Sequence, residues 1–300
     1  MSERARVLVA YGNSGVVELA GGERIGCKFR RSIGRPYCGD RVEVERADDN
    51  SRVVSAILPR DNEFVRCGPR GQKQAIAANL DQALIVVAPV PEPSRDLLER
   101  YLVAVISLGI RPLIVLNKAE ELAGARSRPA GLAPDSPLRR LEEYRELGYS
   151  VVETSCKGPP GIDALTPLLT LQTSILVGQS GVGKSSLANA LLPDLGLQIG
   201  ALSRVTGKGT HTTTTTIMYT LPCGGRLIDS PGVWEYGLWT MAQTELADGF
   251  LEFRPFRGRC RFRDCRHGGE PGCAVDAAVA AGAIREWRYQ SYRRLLEQAG

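Results

Sequence analysis

The stretch Ile175–Leu192, ILVGQSGVGKSSLANALL, decides the fold. Within it, Gly178–Ser185 (GQSGVGKS) satisfies G-x-x-x-x-G-K-[ST] at every position. The motif lies between a run that reads as a strand and one that reads as a helix, the context that separates a phosphate loop from a chance glycine-rich turn. Gly178, Gly181 and Gly183 let backbone amides turn inward around phosphates, and the helix N-terminus adds its positive end. Gln179, Ser180, Val182 and Ser186 complete the cradle. Lys184 is placed to reach the terminal phosphates, and Ser185 offers a hydroxyl to magnesium.

Downstream, RLIDSPG sets Asp229 at the end of an apolar strand with Gly232 three residues on, about forty-five residues past the loop. This D-x-x-G spacing turns a carboxylate toward a phosphate-bound metal and leaves a glycine amide for a γ-phosphate. The intervening GTHTTTTT has the composition of a switch loop that closes on magnesium, with Thr212 and Thr213 as equal candidates for the contact; the alternative is a flexible threonine-rich linker. Val233 follows Gly232, where Ras-like proteins carry a water-orienting glutamine. His211 is the candidate to orient or deprotonate water in its stead; the alternative is a structural hydrogen-bonding role.

No base-reading element follows the phosphate loop, but two precede it. Asn117-Lys118-Ala119-Glu120 ends the strand PLIVLNK, and Ser155-Cys156-Lys157 ends the strand SVVETS. Strand C-terminal ends are where α/β sheets bind ligands. In guanine-binding proteins an N-K-x-D tetrad sets a carboxylate against the guanine N1 and N2 donors, and an S-A-K-like turn covers O6 with a backbone amide. Here Glu120 replaces the aspartate and is one methylene longer.

Around these motifs, strands and helices alternate from Asp81 to about Leu171, which implies a mostly parallel sheet covered on both faces. Helices are expected over SRDLLERYLVAVISLG and LRRLEEYRELG and from about Gly161. Residues 4–58 alternate apolar and polar side chains in RVLVAYGNSGVVEL, RIGCKFR, DRVEVERA and RVVSAIL. That is a small β-barrel, OB-fold-like or generic. Beyond Thr240 the pattern is mainly helical, ending in AAVAAGAIREWRYQSYRRLLEQ, a helix broken at Gly282. The expected plan is therefore multidomain α/β, with a barrel over 1–65, a nucleotide-binding domain over 66–238 and a C-terminal domain over 239–300.

The C-terminal domain carries CRFRDCRHGGEPGC. Cys260, Cys265, His267 and Cys273 are a closed Cys3His set, which reads as structural zinc, with an iron or redox site as the alternative. The chain has only two histidines, and each falls in a motif. Arg254, Arg257, Arg259, Arg261, Arg263 and Arg266 surround the cluster with Phe253, Phe256 and Phe262 interleaved. These groups suit RNA phosphates and bases; the alternative is a solvated basic face with the phenylalanines packed inward.

Composition sets limits on all of this. Of 38 basic residues only six are lysines, and arginine's planar fork suits phosphate, although a GC-rich genome also favours arginine codons. Eight unevenly spaced cysteines make no disulfide framework. No apolar run approaches the ~20 residues of a membrane helix, and MSERARVLVA lacks a signal-peptide core. A cytoplasmic monomer without a membrane partner is expected.

The order NKAE, SCK, GQSGVGKS, THTT, DSPG resembles the circularly permuted GTPases of the RsgA (YjeQ) family, the small ribosomal subunit biogenesis GTPases. The likeness extends to CGDRVEVE, AIAANLDQALIV and the C-terminal cysteines, so it covers nearly the whole chain. It implies GTP and GDP as ligands, Mg2+ with the nucleotide, one structural Zn2+, and the small subunit and its rRNA as partners. It also implies turnover stimulated by the subunit and coupled to release, and in that family Val233's position likewise lacks glutamine. Glu120 departs from the family's usual aspartate. Two other classes fit a phosphate loop: a kinase, which has no use for NKAE and SCK, and an RNA-binding adaptor whose nucleotide is never turned over.

Overall fold

The computed structural model describes residues 2–47, 51–67, 73–122, 124, 131–196, 198, 216–229 and 243–299. The first five strands are β1 (Glu3–Tyr11), β2 (Ser14–Leu19), β3 (Arg24–Phe29), β4 (Arg41–Arg46) and β5 (Arg52–Ile57). β1 pairs with both β2 and β4, and β3 runs parallel to β5, so the order β1-β2-β3-β5-β4 closes on itself as a barrel. Alternation supplies its core: Val7, Val17, Val42, Val44 and Val54 are wholly buried, and β4 turns its charged residues outward between its valines. This bears out the OB-fold-like expectation.

A hairpin of β6 (Glu63–Cys67) and β7 (Lys73–Ala78), not foreseen from the sequence, leads into the nucleotide-binding sheet. That sheet contains β8 (Gln82–Val87), β9 (Arg111–Leu116), β10 (Ser150–Glu153), β11 (Thr173–Val177), β12 (Ile217–Thr220) and β13 (Arg226–Asp229). The order is β10-β9-β8-β11-β13-β12, with every neighbour parallel except β12, which pairs antiparallel to β13. Central β8 and β11 are buried at every residue, as a parallel sheet covered on both faces requires. At the β12 edge, Val9 of β1 pairs with Ile217, so the barrel extends this sheet.

The covering helices are α1 (Leu97–Ser107), α2 (Leu141–Glu146), α3 (Thr166–Leu169) and α4 (Lys184–Leu191). Two are shorter than the sequence suggests. Before α2, Ser136 Oγ accepts from Leu138 N and Pro137 opens a 3-10 turn, so only Leu141–Glu146 of LRRLEEYRELG is α-helical. Gly161 has φ +73, which excludes a helix start there, and α3 waits for Thr166-Pro167.

The C-terminal module comprises α5 (Gln243–Asp248), a 3-10 turn (Leu251–Phe256), the cysteine-rich loop, α6 (Ala274–Ala280) and α7 (Glu286–Ala299). The break between α6 and α7 contains Gly282 at φ +75. α7 lies on the nucleotide-binding domain. Its Arg288, fully buried, donates to Glu99 of α1, to Glu252 and to the Tyr149 hydroxyl, while Arg294 binds Asp96 at 2.7 Å.

Candidate nucleotide site and cysteine-histidine centre

The phosphate loop turns at the C-terminal end of β11 and hands directly to α4. A Cβ on Gly178 (φ +143) would meet Val86 O at 2.3 Å, and one on Gly183 (φ +92) would meet Asn117 Nδ2 at 2.4 Å. Both positions therefore need glycine for conformation and for space. Val182 is buried beneath the loop, Gln179 is half-buried with its Nε2 on Pro91 O, and Ser180, Ser185 and Ser186 are exposed at its mouth.

Lys184 is folded back onto its own loop, donating to Gly178 O at 2.7 Å and Gln179 O at 2.6 Å. Burial lowers its pKa to about 8, against a smaller upward pull from Asp229. Asp229, ending β13, is exposed. Desolvation raises its carboxyl pKa, with the Lys184 ammonium opposing. The two groups bracket the space where terminal phosphates and a dication would each find an opposite charge. A hydroxyl at Ser185 and a carboxylate at Asp229 are hard oxygen donors, the chemistry magnesium takes.

The NKAE and SCK motifs come together beside this loop although they precede it in the chain. Asn117, buried at the end of β9, donates from Nδ2 to Val182 O at 2.9 Å, and Thr154 Oγ1 donates to Asn117 Oδ1 at 3.2 Å. Lys118, in the left-handed region at φ +55, extends its Nζ to Gly181 O at 2.8 Å and Val90 O at 2.6 Å. Glu120 follows in a 3-10 turn (Ala119–Glu121) with its carboxylate exposed. At the end of β10, Ser155 Oγ accepts from the amides of Lys157 and Gly158, both at 3.1 Å, which shapes the turn. Cys156 and Lys157 are exposed, and the Cys156 thiol is raised by desolvation and by the nearby Glu120 charge. NKAE and SCK thus face one another beside the phosphate grip. His211, Thr212, Thr213 and Gly232 lie outside the described residues.

In the C-terminal module the ligand atoms of Cys260, Cys265, His267 and Cys273 all lie within 4.8 Å of one another. His267 Nδ1 stands 3.5, 3.6 and 3.4 Å from the three sulfurs. A tetrahedron with zinc–sulfur and zinc–nitrogen bonds of normal length has an S···N edge of about 3.5 Å. The donor set therefore fits zinc in spacing as well as kind. Backbone amides of Ala274 and Asp276 point at Cys260 Sγ (3.3 Å) and Cys273 Sγ (3.5 Å), which favours thiolates. Burial lowers the His267 pKa, keeping the imidazole neutral for ligation.

These features coincide with what is known of other chains. Residues 57–239 match the family model of the RsgA GTPase. This chain belongs to the RsgA GTPase family. It is 48% identical over 278 residues to the small ribosomal subunit biogenesis GTPase RsgA of Chromohalobacter salexigens, covering 92% of this chain and 78% of that one. To the same-named protein of Pseudomonas putida it is 44% identical over 294 residues, covering 97% and 84%. Among solved structures it is similar to YjeQ from Thermotoga maritima, with TM-score 0.78, 31% identity and coverage of 100% and 99%. It is also similar to YloQ, a circularly permuted GTPase, with TM-score 0.74, 28% identity and coverage of 100% and 95%. Like its family, the chain is a GTP hydrolase, and the family's activity uses Mg2+ with GTP.

Three residues important to this RsgA-family site are silent in the sequence. Thr154 fixes the Asn117 amide, and only its place at the end of β10 could have pointed to it. Glu270 accepts from the amides of Arg266 (3.1 Å) and Gly268 (2.8 Å), bracing the cysteine-rich loop, yet reads as an ordinary surface acid. Arg288 sits in a helix with several arginines, and nothing in its spacing marks it as the buried one.

Proposed function

We propose that this GTPase binds rRNA on the small ribosomal subunit late in maturation, in the cytoplasm, with turnover stimulated by the subunit and coupled to release. The barrel, residues 1–65, and the C-terminal module, residues 239–300, carry the RNA contacts on either side of the nucleotide-binding part, residues 66–238. The protein acts as a monomer. One zinc, held by Cys260, Cys265, His267 and Cys273, braces the C-terminal module.

Guanine is read by Asn117, Lys118 and Glu120 with the turn Ser155-Cys156-Lys157. Phosphates lie on the amides of Gly178 to Ser186. Ser185, Asp229 and one of Thr212 or Thr213 would hold magnesium with GTP, and the ion would supply positive charge to offset that of the phosphates. Water attacks the γ-phosphorus in line and the bond to the bridging oxygen breaks, with Lys184 and the loop amides stabilising the charge that moves there. Gly232 contributes an amide to the γ-phosphate, and His211 positions the water.

The observation that carries this reading is the Asn117–Val182 bond, which joins base reader and phosphate grip into one site. A kinase would have no use for that junction. The test is GTP turnover with and without purified small subunits, with ATP as control. Stimulation by the subunit with GTP alone is expected; turnover at background in its presence would leave an adaptor instead.

A further inference from the structure

Of the three phenylalanines around the cysteine-histidine centre, two point inward. Phe253 is buried, stacked on Phe250 with centroids 5.2 Å apart, and Phe256 packs partly against the core. Phe262 is 46% exposed and is the only exposed aromatic among the described residues. A single exposed apolar side chain is ordinary; what sets Phe262 apart is its place at the rim of a cleft, with the Arg261 guanidinium over its ring.

The ring borders a cleft of about 270 Å³. One wall is Ala247 and Asp248 at the end of α5; the other is the loop with Phe262, Arg263 and Arg266; Cys260, Cys265 and His267 form part of its lining. The volume is just below the ~300–1,000 Å³ of drug-sized ligand sites. Arg261 places its guanidinium 5.4 Å from the Phe262 centroid. Arg257 is paired with Asp248 at 2.5 Å, but among the described residues Arg259, Arg261, Arg263 and Arg266 form no ion pair, and all are exposed. The cleft thus joins a part-exposed aromatic ring, flanked by Arg261, to arginines that outnumber the acids of its lining, Asp248 and Asp264, on a loop that also carries the four candidate metal ligands and Glu270.

We propose that this cleft takes one unpaired nucleobase of an RNA, stacked on Phe262, with its flanking phosphates on Arg263 and Arg266. This rests on the RNA partner proposed above and assigns that partner's chemistry at one place. Stacking needs a base outside a helix, so a single strand, bulge or loop is the occupant, not a duplex. An acidic peptide would satisfy the arginines but leave the ring without a matching plane.

The test uses the full-length, zinc-loaded chain and short 4-thiouridine-containing single-stranded RNA, the same sequence as a duplex, and polyglutamate. Phe262→Ala is expected to weaken single-strand binding about tenfold, the scale of one lost stacked base. Phe262→Trp keeps the affinity, Arg263→Ala flattens the salt dependence by about one counterion, and the photo-cross-link maps to the segment containing Phe262. Zinc content is measured for each variant, so a damaged loop is recognised. Wild-type affinity in Phe262→Ala, or equal protection of the segment by polyglutamate, overturns the proposal. If small subunits still stimulate GTP turnover, the functional reading survives that result; if they fail to stimulate the wild type, that reading fails instead.

Discussion

Where the barrel meets the nucleotide-binding sheet, the junction is the Val9–Ile217 strand pair and side-chain bonds from half-buried arginines. Arg24 reaches Thr220 at 3.1 Å, Arg226 reaches Glu18 at 2.9 Å and Arg6 reaches Thr173 at 3.4 Å. Where the C-terminal module meets the same domain, the junction is Arg288, at 0% exposure, between two buried carboxylates. The rings of Phe250, Tyr149, Trp287 and Tyr144 stand 4.5 to 5.8 Å from its guanidinium carbon. The first seam lies at β11, β12 and β13, the last of which ends in Asp229; the second lies on α1 and α2, which pack on β9 and β10, the strands that lead to NKAE and SCK. Solvent decides how they differ. Charges in reach of water are screened and contribute little, whereas charges removed from it depend on their partners absolutely.

The largest effect expected is from metal removal. Structural zinc supplies on the order of 10 kcal/mol to small modules that fold around it, and α6 starts at a ligand, Cys273, whose sulfur accepts from the Asp276 amide. Chelation should expose residues 243–299 to protease while nucleotide binding persists; an unchanged digestion pattern would remove the structural role of the metal.

Next is the buried seam. Arg288→Met leaves Glu99 and Glu252 buried without a cation, at a cost of about 3–5 kcal/mol read by denaturant unfolding. The contrasting change at the barrel, Arg226→Ala, should cost no more than about 1 kcal/mol and be reproduced in part by high salt. Equal costs at the two seams would erase the distinction between them.

The smallest effect lies between the seams. Lys184 has a folded pKa of about 8 against an ordinary 10.5, so the ligand-free protein gains stability as pH rises from about 8 to about 10.5, where only the unfolded chain keeps this proton. Nucleotide phosphates restore the charged form. Calorimetry in buffers of different ionisation enthalpy should therefore show greater proton uptake on binding GDP at pH 8 than at pH 6.5. No uptake at pH 8 would mean that the phosphates do not reach Lys184.

The parts legible in the sequence were those in which neighbouring residues do the work. GQSGVGKS, the alternating barrel strands and the Cys3His spacing each encode their geometry within a few positions, and the structure realises all three. The seams were illegible because they are made by residues far apart: Arg288 is 189 positions from Glu99, and Arg226 is 208 from Glu18. The orientation of the phenylalanines was left open for a related reason: Phe253 and Phe262 each stand between charged neighbours in sequence, and it is the packing of Phe250 and Tyr292 on Phe253 that separates them. The junction of Asn117 with Val182 stands between these cases. Its two ends were each recognisable as motifs, but only the sheet order brings them within 2.9 Å.

That junction makes the central claim measurable: base reader and phosphate grip form one guanine site although the chain presents them in inverted order. Fluorescent GDP bound to the wild-type protein should be displaced by GTP and resist ATP, with Asn117→Ala losing affinity. Equal displacement by ATP and GTP would contradict the claim and show that Glu120 and its neighbours do not read the base.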